Sequence, residues 1–223
     1  EARTLGLAVL QLGDIIDRGP DSPGAMRLML ELAAREDGAQ IAGNHCGKFY
    51  RYRQGRKVEI ARSGLALTLE QLGRRGDGED LARRYADYVA RLPLWLGTSG
   101  FFFVHGAFHP DMRKRRAPSV GERGRDKRLA SLALFGETDG SFTPDGKPHR
   151  TYRWVAHVPG DLTVCVGHDV VSTTEIVTRE SPQGGRVVHL DLGADRGGRI
   201  GYLDLEREEL LAHRPAGATA GVG

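Results

Sequence analysis

The sequence has only two cysteines, Cys46 and Cys165, far apart in the chain. That excludes a disulfide framework and a paired thiolate zinc knuckle, and both are read as reduced thiols. No apolar run approaches the roughly 20 residues of a membrane span. Nothing near the start has the basic, apolar and small-residue order of a secretory leader. The expectation is a soluble cytoplasmic protein. There is no internal repeat and no sign of a second domain, so a single domain is expected over residues 1–214. The low-complexity stretch Pro215–Gly223 reads as a disordered tail. The chain opens on Glu1, not Met, with the first strand only a few residues on, and reads as truncated at its N-terminus.

Net charge is also small: 32 Lys and Arg against 29 Asp and Glu leave +3. It is unevenly placed. Between Arg113 and Arg128 stand eight Lys or Arg residues against Glu122 and Asp126, a local +6, so the remainder nets −3. This loop-like block is either a solvated surface segment or a patch for a polyanion such as a nucleic acid.

What is present is enough apolar residue, 39%, for a sizeable core in a chain of 223, arranged in a readable order. Leu5 to Leu12 reads as a buried strand. Ser22 caps a helix with Pro23 at its first position, Met26, Met29, Leu30 and Ala33 mark its inner face, and Gly38 stops it. Ala39 to Ala42 is a short strand, and Phe49 to Lys57 is polar and basic. Ser63 to Leu72 and Glu79 to Leu92 read as helices, the second carrying Leu81, Tyr85, Val89 and Leu92 on one face before Pro93. Phe101 to Val104 and Leu162 to Val166 are buried strands. Gly136 to Pro148 reads as loop, and Arg186 to Leu192 and Arg199 to Leu205 as antiparallel strands.

The chemistry lies at the strand exits. Gly13-Asp14-Ile15-Ile16-Asp17-Arg18-Gly19-Pro20 follows the first strand, Gly43-Asn44-His45 the second, His105-Gly106 the third and Gly167-His168 the fourth. Ligands gather outside the carboxyl ends of strands in open α/β sheets, so Asp14, Asn44, His105 and His168 can converge. One carboxylate, one amide oxygen and two imidazoles suit a borderline divalent ion such as Mn²⁺, Fe²⁺ or Zn²⁺. His45 is then a spare imidazole, free to act as a general acid. Arg18 adds a planar donor fork suited to phosphate.

These four motifs, in this order, resemble the signature of the calcineurin-like metallophosphoesterases, in the phosphoprotein-phosphatase branch. A looser likeness runs through Lys48, Arg53, Gly55, Val58, Gly64-Leu65, Thr68 and Glu70-Gln71-Leu72. It continues through Leu134 to Thr138, Asp145-Gly146, Pro148, Arg150 and Trp154, and is similar to the phosphatase domain of bacterial polynucleotide kinase-phosphatases. The resemblance implies an αββα sandwich of two mixed sheets flanked by helices. It implies two divalent ions, manganese first, with Fe²⁺, Ni²⁺ or Zn²⁺ as alternatives. Asp14 then bridges the two ions, and Asn44, His105 and His168 complete the second. His45 becomes the acid for the leaving oxygen, Asp17 its orienting partner, Arg18 a phosphate clamp and Asp191 a matching functional acid. Arg150 and Arg153 are either second phosphate clamps or exposed arginines. The remaining histidines, His109, His149, His157, His189 and His213, read as structural.

The sequence departs from the family pattern in three places. The family's opening strand ending Asp-x-His-Gly, which holds the first ion, is absent before Asp14, so the segment as written is expected to be a poor enzyme. Position 46 is Cys where an acid is usual, and Asp169-Val170 stands where Thr-Pro is usual. The implied activity is phosphate monoester hydrolysis by a two-metal mechanism on a phosphorylated substrate, a polynucleotide or RNA end with a 2′,3′-phosphate or a nucleotide. A protein serine/threonine phosphatase, a dinucleoside polyphosphate hydrolase and a non-catalytic binding module of degenerate phosphatase fold remain as alternatives. Whether a kinase or ligase domain belongs to the same system is open.

Overall fold

The computed structural model describes residues 8–61, 63–122, 126–144 and 146–213. The predicted tail, Leu5–Leu7, Arg123, Arg125 and Asp145 fall outside them. The architecture is mixed α/β, with several sheets and helices, and the chain divides into two compact units. The first is Glu1–Leu94 with Ala117–Lys127, and the second Trp95–Arg116 with Arg128–Gly223.

In the first unit β1 (Val9–Gln11) pairs in parallel with β2 (Gly38–Gln40), and α1 (Ser22–Ala34) is the crossover between them. Three more helices follow: α2 (Asn44–Arg53), α3 (Leu65–Gly73) and α4 (Gly78–Arg91). α4 packs against α1, α2 and α3. Its buried residues Leu81, Tyr85 and Val89 recur at a spacing of four, while Asp80, Arg83, Arg84 and Asp87 pair on the outer face. Tyr85 meets Phe49 of α2 with ring centroids 5.6 Å apart.

The second unit is built on a five-stranded sheet in the order β3-β4-β7-β9-β8. Its strands are β3 (Trp95–Gly97), β4 (Phe101–Val104), β7 (Thr163–Val166), β8 (Val177–Glu180) and β9 (Arg186–His189). The central strands β4, β7 and β9 run parallel, and the two edge strands run antiparallel to them. Phe102, Phe103, Val104, Val164, Cys165, Val166, Val187 and Val188 are buried, as the inner strands of a sheet covered on both faces should be. α5 (Lys127–Phe135) and the hairpin β5 (Thr138–Phe142) with β6 (Pro148–Arg150) lie between β4 and β7 in sequence. An antiparallel sheet of β10 (Asp191–Leu192), β11 (Arg199–Asp204) and β12 (Glu209–His213) ends the unit.

Several local expectations are corrected. Ser22 is not the cap of α1: Asp21 is, its Oδ1 accepting from Gly24 N at 2.9 Å, while Ser22 is buried as the first helical residue and Pro23 stands second. α1 ends at Ala34, and Gly38 opens β2. β1 is not a buried strand. Val9 is exposed and Leu10 half-buried, because among the described residues β1 pairs on one side only, with β2. The polar stretch after Asn44 folds as α2, which buries Cys46, Gly47 and Phe49. The loop expected at Gly136–Pro148 holds a hairpin whose first strand is exposed at every position, so no apolar alternation marks it. Arg186–Leu192 is two strands in two sheets: β9 runs parallel to β7, and β10 pairs with β11.

Candidate active site

In the first unit the parallel register Gln11↔Gln40 brings the ends of β1 and β2 out at the same edge, which places Asp14 and Asn44 there together. α2 starts at Asn44 with no side-chain cap of its own. Asp14 does that work from across the turn, its Oδ1 accepting from His45 N at 2.8 Å. Gly43 makes the approach possible, since a Cβ there would lie 2.1 Å from that same oxygen. The turn itself is left-handed at Asp14, Asp17 and Arg18, with φ of 59°, 75° and 60°. Residues other than glycine rarely adopt this conformation, and a cluster of them marks a site held by its surroundings.

Those surroundings converge on Asp17, whose carboxylate is fully shielded from solvent. It accepts from His45 Nδ1 at 2.6 Å and from Thr68 Oγ1 at 2.7 Å, and Lys48 Nζ lies 3.6 Å away. The backbone N–H of Asp17 donates to Ser22 Oγ at 3.2 Å. Gln71, one turn beyond Thr68 on α3, holds the carbonyls of Gly19 and Pro20. With Nδ1 donating to a carboxylate, His45 keeps Nε2 for chemistry. Burial pushes the Lys48 ammonium below its ordinary pKa, opposed by the charges of Asp17 and Asp14. Arg18 is exposed at the same turn. Cys46 is buried beneath Tyr85, and burial first, with the Asp14 charge second, raises its pKa. It is therefore a neutral thiol at neutral pH.

In the second unit the register Val104↔Val166 delivers His105 and Gly167-His168 to the same edge of the sheet. The two imidazoles meet with His168 Nδ1 3.2 Å from His105 Nε2 and ring centroids 5.0 Å apart. Gly106 lets this edge close on α5, because a Cβ there would stand 2.4 Å from Gly136 N. His168 is again left-handed, at φ 67°. Two residues of one short segment brace it. Arg150 donates through Nη2 to His168 Nε2 at 2.6 Å and through Nη1 to the Phe135 carbonyl, and Tyr152 donates its hydroxyl to Asp169. Asp169, which stands where threonine is usual, thus becomes an anchor for the turn. Arg150, Tyr152, His168, Asp169 and His189 line one narrow cleft.

Arg153 is 70% exposed and lies 3.8 Å from Glu137, while Asp191 is half-buried and accepts from Gly193 N at 3.0 Å. The basic block is partly neutralised within the second unit, with Arg113 on Asp161 and both Lys114 and Arg128 on Asp111. Sequence reasoning singled out neither Lys48 nor Thr68 for a role at the site. A helix at 44–53 would have flagged Lys48, one turn after His45, but that stretch has no apolar periodicity to read.

His189 is buried behind Tyr152 with no hydrogen-bond partner for Nδ1 among the described residues, and Arg179 Nε donates to its Nε2 at 3.3 Å. Burial first and the Arg179 charge second lower its pKa from 6.5 to about 4. The unfolded chain therefore takes up a proton that native His189 refuses. Its contribution is fully present above pH 6.5 and is lost as pH falls from there to about 4, by up to about 3 kcal/mol. Urea unfolding at pH 7 and pH 4.5 should show this loss, and His189→Gln should flatten it. An unchanged slope in the variant would refute the assignment.

The family model described as calcineurin-like phosphoesterase matches residues 6–198. A bis(5′-nucleosyl)-tetraphosphatase of Halalkalibacterium halodurans, named PrpE [asymmetrical], is 28% identical over 205 residues, covering 90% of this chain and 76% of that protein. A protein of the same name from Bacillus velezensis is 30% identical over 206 residues, covering 90% and 73%. Among solved structures, that of a provisionally assigned diadenosine tetraphosphatase aligns with a TM-score of 0.58 at 20% identity, over 95% of this chain and 84% of that one.

Proposed function

Since the chain belongs to the calcineurin-like phosphoesterase family, we propose that it hydrolyses a phosphoanhydride bond of bis(5′-nucleosyl) tetraphosphates. The observation that carries this reading is that relatives bearing that activity in their name match about nine-tenths of the chain. Arg113, Lys114 and Arg128 of the basic block pair with Asp161 and Asp111, which leaves less of its charge for a long polyanion. Members of the family use a dinuclear divalent metal centre. In kind, the donor set suits one ion of such a centre: Asp14 and Asn44 stand at one strand edge, and His105 and His168 face each other at another, while the Asp-x-His-Gly segment that would hold the other ion is not in this sequence. Asp14 would serve both ions, and Asn44, His105 and His168 the second, with manganese suited to this mixture of oxygen and nitrogen. When bound, the ions neutralise phosphoryl oxygens and make a water nucleophilic at neutral pH.

The chain's own residues supply the rest. Arg18 and Arg150 offer guanidinium forks to the phosphates. His45 gives the proton of Nε2 to the leaving phosphate oxygen, and Asp17 fixes its ring and supplies counter-charge to the imidazolium. Asp191 would serve as a further acid of the site, and Arg153 as a peripheral phosphate contact.

Manganese-loaded protein should be offered a bis(5′-adenosyl) tetraphosphate, a 3′-phosphorylated oligonucleotide and p-nitrophenyl phosphate. The expected result is a kcat/KM for the dinucleotide roughly tenfold or more above the others, with a nucleoside triphosphate and monophosphate as products. Preference for the oligonucleotide would replace this reading with the polynucleotide-end phosphatase. Failure to cleave any of the three, even after a segment carrying the Asp-x-His-Gly strand is added back, would favour the binding module.

A further inference from the structure

We infer that Arg150 couples cation binding to phosphate binding: it rests on His168 Nε2 and opposes a cation at His168 Nδ1 until an anion draws it away. This rests on the reading of His105 and His168 as cation ligands.

A guanidinium has donors only, so the 2.6 Å contact makes His168 Nε2 the acceptor. A neutral imidazole carries one proton, which then sits on Nδ1 and points at His105 Nε2, 3.2 Å away. A cation bound by His168 through Nδ1 needs the lone pair that this proton occupies. The ring then carries its proton on Nε2, where it meets the Arg150 N–H donor against donor. The charge acts in the same direction, because a guanidinium in contact with a ligand ring repels any cation that ring holds. In its present place Arg150 and a cation at the histidine pair exclude one another on both counts.

Arg150 is nevertheless able to leave. It is the last residue of β6, in a hairpin exposed along nearly its whole length, and is itself only half-buried. Its second anchor is a single carbonyl, that of Phe135. A phosphate offers two oxygens to the fork and is the stronger acceptor. Once the fork turns to phosphate, Nε2 is free to carry the ring proton and Nδ1 to accept a cation. Linkage makes the effect mutual: phosphate tightens the cation, and the cation tightens phosphate, by the same factor.

Mn²⁺ binding is followed by the electron paramagnetic resonance of the free ion, with and without millimolar inorganic phosphate. Arg150→Met keeps the aliphatic stem and removes the fork. It should bind Mn²⁺ roughly fivefold more tightly than the parent in phosphate-free buffer. Phosphate should tighten the parent and tighten the variant much less. Arg150→Lys, too short to reach both His168 and Phe135, should shift Mn²⁺ affinity in the same direction and guards against a folding failure of the first variant. Unchanged or weaker Mn²⁺ binding in either folded variant overturns the coupling. His168→Ala tests the underlying reading separately: it should lose Mn²⁺, and if it binds as the parent does, the cation assignment has failed and not the coupling.

Discussion

His45→Ala should lower kcat by about 10²- to 10⁴-fold while leaving the bound manganese unchanged. The ring reaches its position through Asp17, and its Nδ1 is committed to that carboxylate at 2.6 Å, so Nε2 is the only nitrogen it can offer to a substrate. Alanine removes the proposed proton donor for the leaving oxygen and keeps the backbone N–H that Asp14 accepts. Asn44→Ala, one residue earlier, should do the opposite and lower metal content. Parallel measurement of kcat and of metal per chain decides it. Metal loss from His45→Ala with retention in Asn44→Ala would reverse the roles.

Asp17→Ala should destabilise the protein by about 3–5 kcal/mol, the range for removing one member of a buried charge cluster. The carboxylate is fully buried and serves three side chains at once: the His45 imidazole, the Thr68 hydroxyl and the Lys48 ammonium. Its removal leaves the half-buried Lys48 without its nearest counter-charge. Alanine also fits poorly at φ 75°. Asp17→Asn tolerates that backbone and should cost clearly less. Urea unfolding of the three proteins tests this, and a loss below about 1 kcal/mol for the alanine variant would mean that the cluster contributes little. Turnover should fall in both variants, since His45 loses the partner that sets its ring.

Much of this was legible in the sequence because it depends on local rules. A strand rich in Phe or Val that ends in His-Gly or Gly-His can be recognised without knowing its neighbours, and β4 and β7 lie within a residue of where the apolar runs place them. The helix face of Leu81, Tyr85 and Val89 was equally plain. What could not be read depends on groups brought from a distance. α2 begins Asn-His-Cys-Gly, a poor helical start, and is nucleated by the carboxylate of Asp14 from 31 positions away. The β5–β6 hairpin buries almost nothing and so leaves no hydrophobic trace. The second layer behind Asp17 comes from α3, and the brace on the His168 turn from Arg150 and Tyr152. These are contacts of long sequence separation, and no spacing announces them.

Aspartate and asparagine share their tolerance for left-handed backbone, and asparagine's side-chain oxygen can accept the His45 N–H as the Asp14 carboxylate does. An exchange of Asp14 for asparagine therefore preserves the path of the turn and the start of α2 while deleting the charge that the proposed cation site would use. Selection for a folded, long-lived chain gives no protection against that step; only selection for turnover does. On the proposed function, a lineage released from its substrate could become a pseudoenzyme by one such replacement and keep its outline intact.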